Sequence, residues 1–263
     1  MNFLGAILET TRRSVEERKA RFPLDELRGR PLYGRTPLSL SAALRAASPA
    51  IIAEIKRASP SRGVIRTECD PFSIADGYMS AGAAAISVLT EEKYFLGSLR
   101  DLEAARSAVS IPLLRKDFLL DPYQVHESKS SGADAILLIA AALSAGDLIA
   151  LRDEARSLGM EALVEVHSPG ELALLAGAGL TIVGINNRDL VTFQTDIALS
   201  ETLGPRLGPE TLGVSESGIR SGREIARLSG SGIRAFLVGE HLMSADDPGK
   251  ALAELIRSAG ENS

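Results

Sequence analysis

The chain has 263 residues, 45% of them hydrophobic, and a formal net charge of −5. That length and content support one large core, and the acidic balance gives no footing for general nucleic-acid binding. No run of about 18 apolar residues offers a membrane-spanning helix, and a single cysteine, Cys69, permits no intramolecular disulfide, which suits the cytoplasm.

First in the chain stands MNFLGAILETTRRSVEERKA. It has no basic stretch before its short apolar part, so it does not read as a secretory signal. The pattern predicts an amphipathic helix with Phe3, Leu4, Ile7 and Leu8 on one side. Residues 1–48 precede the first strand and read as a helical extension packed on the body of the protein.

From residue 49 onward, apolar and β-branched runs recur: IIAEI (51–55), AAISVL (84–89), IPLLRK (111–116), AILLIA (135–140), EALVEV (161–166), TIVGIN (181–186), TLGVSE (211–216) and AFLVGE (235–240). These are about eight strands, apolar on both faces as parallel strands covered by helices are. Helical segments lie between them. DPFSIADGYMSAG places Asp70 as N-cap, Pro71 at the first helical position and Gly82 as the stop. SAGDLIALRDEARSLG runs from Ser144 to Gly159, and SPGELALLAGAG follows the same grammar. The alternation implies a parallel sheet, and eight units imply a closed (β/α)8 TIM barrel over residues 49–263, one structural domain with its extension. No glycine-rich dinucleotide fingerprint follows the first strand to favour a doubly wound sheet.

In such a barrel the C-terminal strand ends and the loops after them build the site. Those positions hold Glu54 and Lys56, Lys116, Glu165, Asn186 and Arg188, Glu216 and Ser217, and Gly239 with Glu240. Closure brings them around one mouth, where lysines and carboxylates perturb one another's pKa values. One charge at a strand end is ordinarily a solvated loop residue, and Lys116–Asp117 alone reads as a turn. The case for a site is that nearly every strand delivers a charged or amide group at the same end. Glu165 sits among apolar residues in ALVEVHS, where burial without a partner is costly; a structural ion pair is its other reading.

SESGI (215–219) places Gly218 just after the seventh strand, and LVGEHLM (237–243) places Gly239 just after the eighth. Barrels often bind phosphate with these two loops and the N-terminus of a short helix. Ser59 in SPSRG adds a hydroxyl. His126, His167 and His241 are scattered without an HExxH pair and read as loop or surface residues, so no metal is expected. Cys69 lies in a loop without a paired catalytic pattern. Neither a GxSxG elbow nor a GxxxxGK[ST] loop occurs, and no cofactor is implied.

The segments IIAEIKRASPSRG, AAAISVLTEEKYFLGS, IPLLRKDFLLDPYQVHES, GADAILLIAAAL, ALVEVHS, GINNRDLVTF, VSESGI and FLVGEHLM resemble the indole-3-glycerol phosphate synthase family of tryptophan biosynthesis. The resemblance covers nearly the whole chain, the N-terminal extension included. It implies a carboxy-lyase that takes 1-(2-carboxyphenylamino)-1-deoxyribulose 5-phosphate through ring closure, loss of CO2 and loss of water. By resemblance Lys116 is the acid at the substrate ketone. Lys56 stands near the substrate carboxylate and shares acid duties, and Glu54 orients both lysines. The resemblance makes Glu165 the acid–base group of dehydration, gives sugar hydroxyls to Asn186 and Ser217, and makes Arg188 an anchor, with Glu216 a lesser candidate. Phe95 and Phe118 would pack the anthranilate ring, core packing being their alternative. Ser59, Gly218, Gly239 and Glu240 would serve the phosphate. His241 stands where family members often carry a small residue, a departure that touches only phosphate contacts. The expected partner is a small anionic sugar phosphate, with neither nucleic acid nor membrane; association with other tryptophan-pathway enzymes stays open. Two other readings are a phosphoribosylanthranilate-type isomerase and a non-catalytic barrel scaffold.

Overall fold

The computed structural model describes residues 3–261; the first two residues of the N-terminal extension and the last two of the barrel segment lie outside the described residues. Eight parallel strands close into a barrel: β1 (Ala50–Ile55), β2 (Ala85–Leu89), β3 (Leu113–Lys116), β4 (Ala135–Ile139), β5 (Glu161–Val166), β6 (Ile182–Asn186), β7 (Leu212–Glu216) and β8 (Ile233–Val238). Three helices precede them: α1 (Phe3–Arg21), α2 (Leu24–Arg28) and α3 (Leu40–Ala46). The barrel helices are α4 (Pro71–Ser80), α5 (Leu99–Ala108), α6 (Pro122–Ser130), α7 (Ala145–Ser157), α8 (Pro169–Leu174), α9 (Ala198–Leu203), α10 (Gly222–Ser229) and, after the four-residue α11 (Glu240–Met243), α12 (Pro248–Gly260). Among the described residues no helix is long and apolar enough to cross a membrane.

Local chemistry sets several of these boundaries. Asp70 caps α4 through the Phe72 and Ser73 amides, with Pro71 at its first position. Ser144 caps α7 through Asp147 N. Three expectations shift. The third strand starts only at Leu113, past Pro112, and the eighth ends at Val238, so Glu240 opens a helix. The helix expected across SPGELALLAGAG stops at Leu174, because Gly177 and Gly179 both adopt positive φ and bend the chain into turns.

Side chains divide by strand parity. Outward residues such as Val88, Leu138, Ile185 and Val238 join the core under the helices, while Ile52, Leu114, Leu163 and Val214 fill the barrel. The ladder then ranks the inward residues in layers. Ser87 pairs with Glu54, Arg115 with Val88, Val164 with Leu138, Gly184 with Glu165, Ser215 with Ile185, Leu237 with Glu216 and Ala53 with Val238. Climbing one residue per strand from Glu54 passes Val88, Lys116, Leu138, Glu165, Ile185, Glu216 and Val238, and returns to Glu54. The odd strands contribute the inward members of that circuit. Glu54, Lys116, Glu165 and Glu216 therefore form one layer of four side chains, the arrangement in which barrel interiors are filled.

The extension meets the barrel at two ends. Leu40 and Leu44 of α3 belong to the inner cluster and plug the base. There the buried Asp134 accepts from Arg35, Arg106, Leu38 N and Leu113 N. At the other end, Phe3, Leu4 and Ile7 of α1 line the cavity at the mouth.

Candidate active site

The layer of four is a charged floor. Lys116 Nζ donates to Glu216 Oε2 at 2.6 Å and to Glu165 Oε2 at 3.0 Å. Glu54 Oε1 accepts from Lys56 Nζ at 2.5 Å; Lys116 feels Glu54 only through its charge. Glu54 and Glu216 are each 1% exposed and Glu165 3%. Arg57, next to Lys56, faces away and pairs with Asp101 at the start of α5, its Nη2 lying 3.0 Å from Oδ1. The two charges at the end of β1 thus serve different sides of the barrel.

Burial would lower the pKa of Lys116, but Glu165, Glu216 and Glu54 outweigh it and hold the ammonium above its ordinary value. Burial acts on both of its carboxylate partners with opposite outcomes. Glu216 is pushed up to about 8, since burial and the Glu165 charge together exceed the pull of Lys116. Glu165 lies well below its usual range, because Lys116 and His167 overcome burial. Two neighbouring carboxyls driven apart in this way supply a base and an acid at neutral pH.

Two glycines make room for this floor. A Cβ on Gly184 would stand 2.1 Å from Glu216 Oε1, and one on Gly239 would stand 2.2 Å from Glu54 Oε1. The nearest group to Gly239 is therefore the Glu54 carboxylate.

Above the floor, Arg188 ties three loops: it donates to Ser61 Oγ at 2.9 Å and to Glu240 Oε2 at 3.0 Å, and its backbone N–H donates to Asn186 Oδ1. Glu240 is also 3.4 Å from Arg62. With its carboxylate so engaged, Glu240 can offer an anion only its backbone amide. Ser217 donates to Asn186 Oδ1 at 2.8 Å. Ser217 and Gly218 both have positive φ, at 66° and 84°. The buried Asn187 stabilises that turn, its amide donating to the Glu216 and Ser217 carbonyls. Ser59 is buried beside Ser61.

The wall is aromatic. Phe95 and Phe118 lie 6.3 Å apart between ring centroids. Glu91 organises the loop that carries Phe95, accepting from the Lys93, Tyr94 and Phe95 amides. Phe3 meets Phe193 edge-on at 5.6 Å.

Every strand-end residue singled out in the sequence lines this one cavity, together with Ser59, Phe95 and Phe118. Sequence reasoning missed Ser61, Leu89, Ile139 and Phe193 as lining residues, and His167 as a partner of Glu165. Parity along β2 and β4 points to Leu89 and Ile139; nothing local marks Phe193. Among the described residues no group of three or more His, Cys, Asp or Glu side chains is arranged to hold a metal ion. Chemically, the cavity offers two ammonium donors, an ionised carboxylate, a protonated one and an apolar slot.

The family model for indole-3-glycerol phosphate synthase matches residues 4–255. The indole-3-glycerol phosphate synthase of Carboxydothermus hydrogenoformans is 48% identical over 97% of this chain and 99% of its own length. That of Mycolicibacterium smegmatis is 45% identical, over 96% of this chain and 93% of its own. Among solved structures, the thiamine phosphate pyrophosphorylase of Pyrococcus furiosus superposes with a TM-score of 0.62 at 15% identity, covering 85% of this chain and 99% of that one. At that identity the likeness concerns the fold alone.

Proposed function

This chain belongs to the indole-3-glycerol phosphate synthase family, and we propose that the charged layer of its barrel is where the indole ring is closed. The reaction converts 1-(2-carboxyphenylamino)-1-deoxyribulose 5-phosphate to indole-3-glycerol phosphate, CO2 and water, a carboxy-lyase step of tryptophan biosynthesis. The observation that carries the assignment of roles is the placement of Lys116 between Glu165 and Glu216.

The aromatic carbon bearing the carboxylate attacks the ribulose ketone, and the carbonyl electrons move onto oxygen. Lys116 meets that oxygen as an ammonium and protonates the alkoxide, which is a far stronger base than an amine. The attacking carbon then loses CO2, and the released bonding pair restores the aromatic ring. In dehydration Glu165, ionised, takes the proton from the neighbouring carbon. Lys116, resupplied by Glu216, protonates the departing hydroxyl. Lys56 holds the substrate carboxylate and Glu54 holds Lys56. Asn186 and Ser217 take sugar hydroxyls, and Phe95 and Phe118 flank the anthranilate ring. The phosphate takes the turn at Gly218, the Gly239–Glu240 amides and Ser59, with Arg188 tying those loops. The substrate carries a phosphate and a carboxylate, so a chain of net charge −5 must meet it with local donors, here Lys56, Lys116 and the loop amides, and that fits a small-molecule partner rather than nucleic acid. The single cysteine suits a cytoplasmic setting.

The test is direct. Purified protein given the substrate should produce indole fluorescence with one CO2 per turnover. The chain contains no tryptophan, so its own background is low. Phosphoribosylanthranilate should be returned unchanged. Absence of indole product, or isomerisation of the second compound, sinks this reading.

Residues 1–48 divide between two roles in this proposal: α1 covers the mouth, and the stretch from Arg35 to Leu44 seals the base. Removing residues 1–21 should therefore leave a folded barrel, by far-UV circular dichroism, with a KM raised several-fold. Full affinity in the truncated protein would reduce α1 to a stability element.

A further inference from the structure

Glu165 faces two cations, and the dehydration chemistry uses only Lys116. The second is His167, just past the end of β5. Its side chain is 9% exposed and does not line the cavity. Nε2 stands 3.2 Å from Glu165 Oε1, and Nδ1 stands 3.7 Å from Glu171 Oε2. Both are ion-pair distances, although neither contact is aligned as a hydrogen bond. Glu171 also accepts the His167 backbone N–H at 2.8 Å, and its own N–H is capped by Ser168. It is rigidly placed yet partly open to solvent. Asp189, in the loop after β6, is a further acid that feels the ring charge.

Lys116 is shared, since it serves Glu216 as well as Glu165. A carboxylate buried as deeply as Glu165 stays ionised only when cations face it. Lys116 takes Oε2, which leaves Oε1 to the imidazole.

We propose that His167 is a positioning residue for Glu165, an imidazolium that faces Oε1 while Lys116 holds Oε2, so that the carboxylate enters dehydration ionised and correctly aimed. This rests on Glu165 acting as the base of that step. Burial alone would neutralise the ring, but Glu165 and Glu171 outweigh it and push its pKa up to about 10. The imidazolium then persists across the neutral range.

His167→Gln keeps a polar side chain and removes the charge. With one cation gone the pKa of Glu165 rises, and activity that needs the carboxylate fades at a higher pH. The acidic limb of kcat should move up by on the order of one pH unit, with KM little changed. His167→Lys returns a cation and should bring the limb back toward the parent position. A purely structural role would lower kcat evenly and leave the limb in place, so an acidic limb unmoved in His167→Gln overturns the proposal. Should that variant fail to fold, His167→Asn removes the same charge from a shorter side chain. An acidic limb unmoved there overturns the proposal equally. Glu165→Gln separates this idea from its premise. If Glu165→Gln dehydrates normally, the premise fails. If it stalls while the His167→Gln limb stays put, only the assignment of His167 fails.

Discussion

Lys116→Met should lower the rate of ring closure about a hundredfold or more, the usual scale for a positioned general acid. Methionine keeps much of the volume but donates no proton. The substitution also strands Glu165 and Glu216, whose shared cation is Lys116, so loss of the acid and disorder of the base act together. Lys56→Met is the contrasting change. Its partner is Glu54 alone among the site carboxylates, and its proposed ligand is a carboxylate already present in the ground state. It should raise KM more than it lowers kcat. Single-turnover kinetics with product identification checks both. Normal turnover in Lys116→Met, with Lys56→Met inactive at unchanged affinity, would mean that the two roles are reversed.

The largest loss of stability is expected one residue earlier. Arg115 is 1% exposed and faces outward from β3. Its guanidinium reaches Asp117 and Glu127, each at 2.9 Å, as well as Thr90, Ser128 and the Gln124 carbonyl. Glu127 in turn pairs with Arg18 of α1 at 2.7 Å. Arg115→Met fills the space but leaves Asp117 buried without its cation, and breaking a buried pair from one side costs roughly 3–5 kcal/mol. For a chain of this size that corresponds to a drop in melting temperature on the order of 10 °C. Arg227, an exposed partner of Glu201, provides the control: Arg227→Met should leave the melting temperature where it is. Equal melting temperatures for Arg115→Met and the parent would show that the buried network contributes nothing. Because Asp117 and Lys116 are adjacent, the same variant should also slow turnover.

Much of the fold follows from local chemistry that the sequence states openly. Asp70–Pro71 and Ser144 start their helices because their side chains satisfy free amides wherever the chain goes next. The two-sided apolar runs fit strands covered on both faces, and eight of them close a barrel. The strand ends were likewise legible, since in a closed barrel they share one mouth whatever their separation in sequence. The segments from AEIKRASPSRG to FLVGEHLM were enough to identify the family.

Where each strand-end side chain finds its partner was decided by the tertiary structure. Lys116 meets Glu216, a hundred residues away, because each strand climbs one residue against its neighbour until Glu54, Lys116, Glu165 and Glu216 fall in one layer. That shear is a property of closure, and no single strand encodes it. Gly239 reads in sequence as a phosphate turn, yet its missing Cβ is what leaves space for the Glu54 carboxylate. His167 looks like a loop histidine until the turn into α8 sets it between Glu165 and Glu171. Phe3 becomes a cavity wall only because α1 lies across the mouth, where its ring meets Phe193 edge-on. Caps and strand periodicity act over a few neighbouring residues and can be read along the chain, whereas pairing of buried charges acts through space and depends on register and docking, which the whole molecule settles at once.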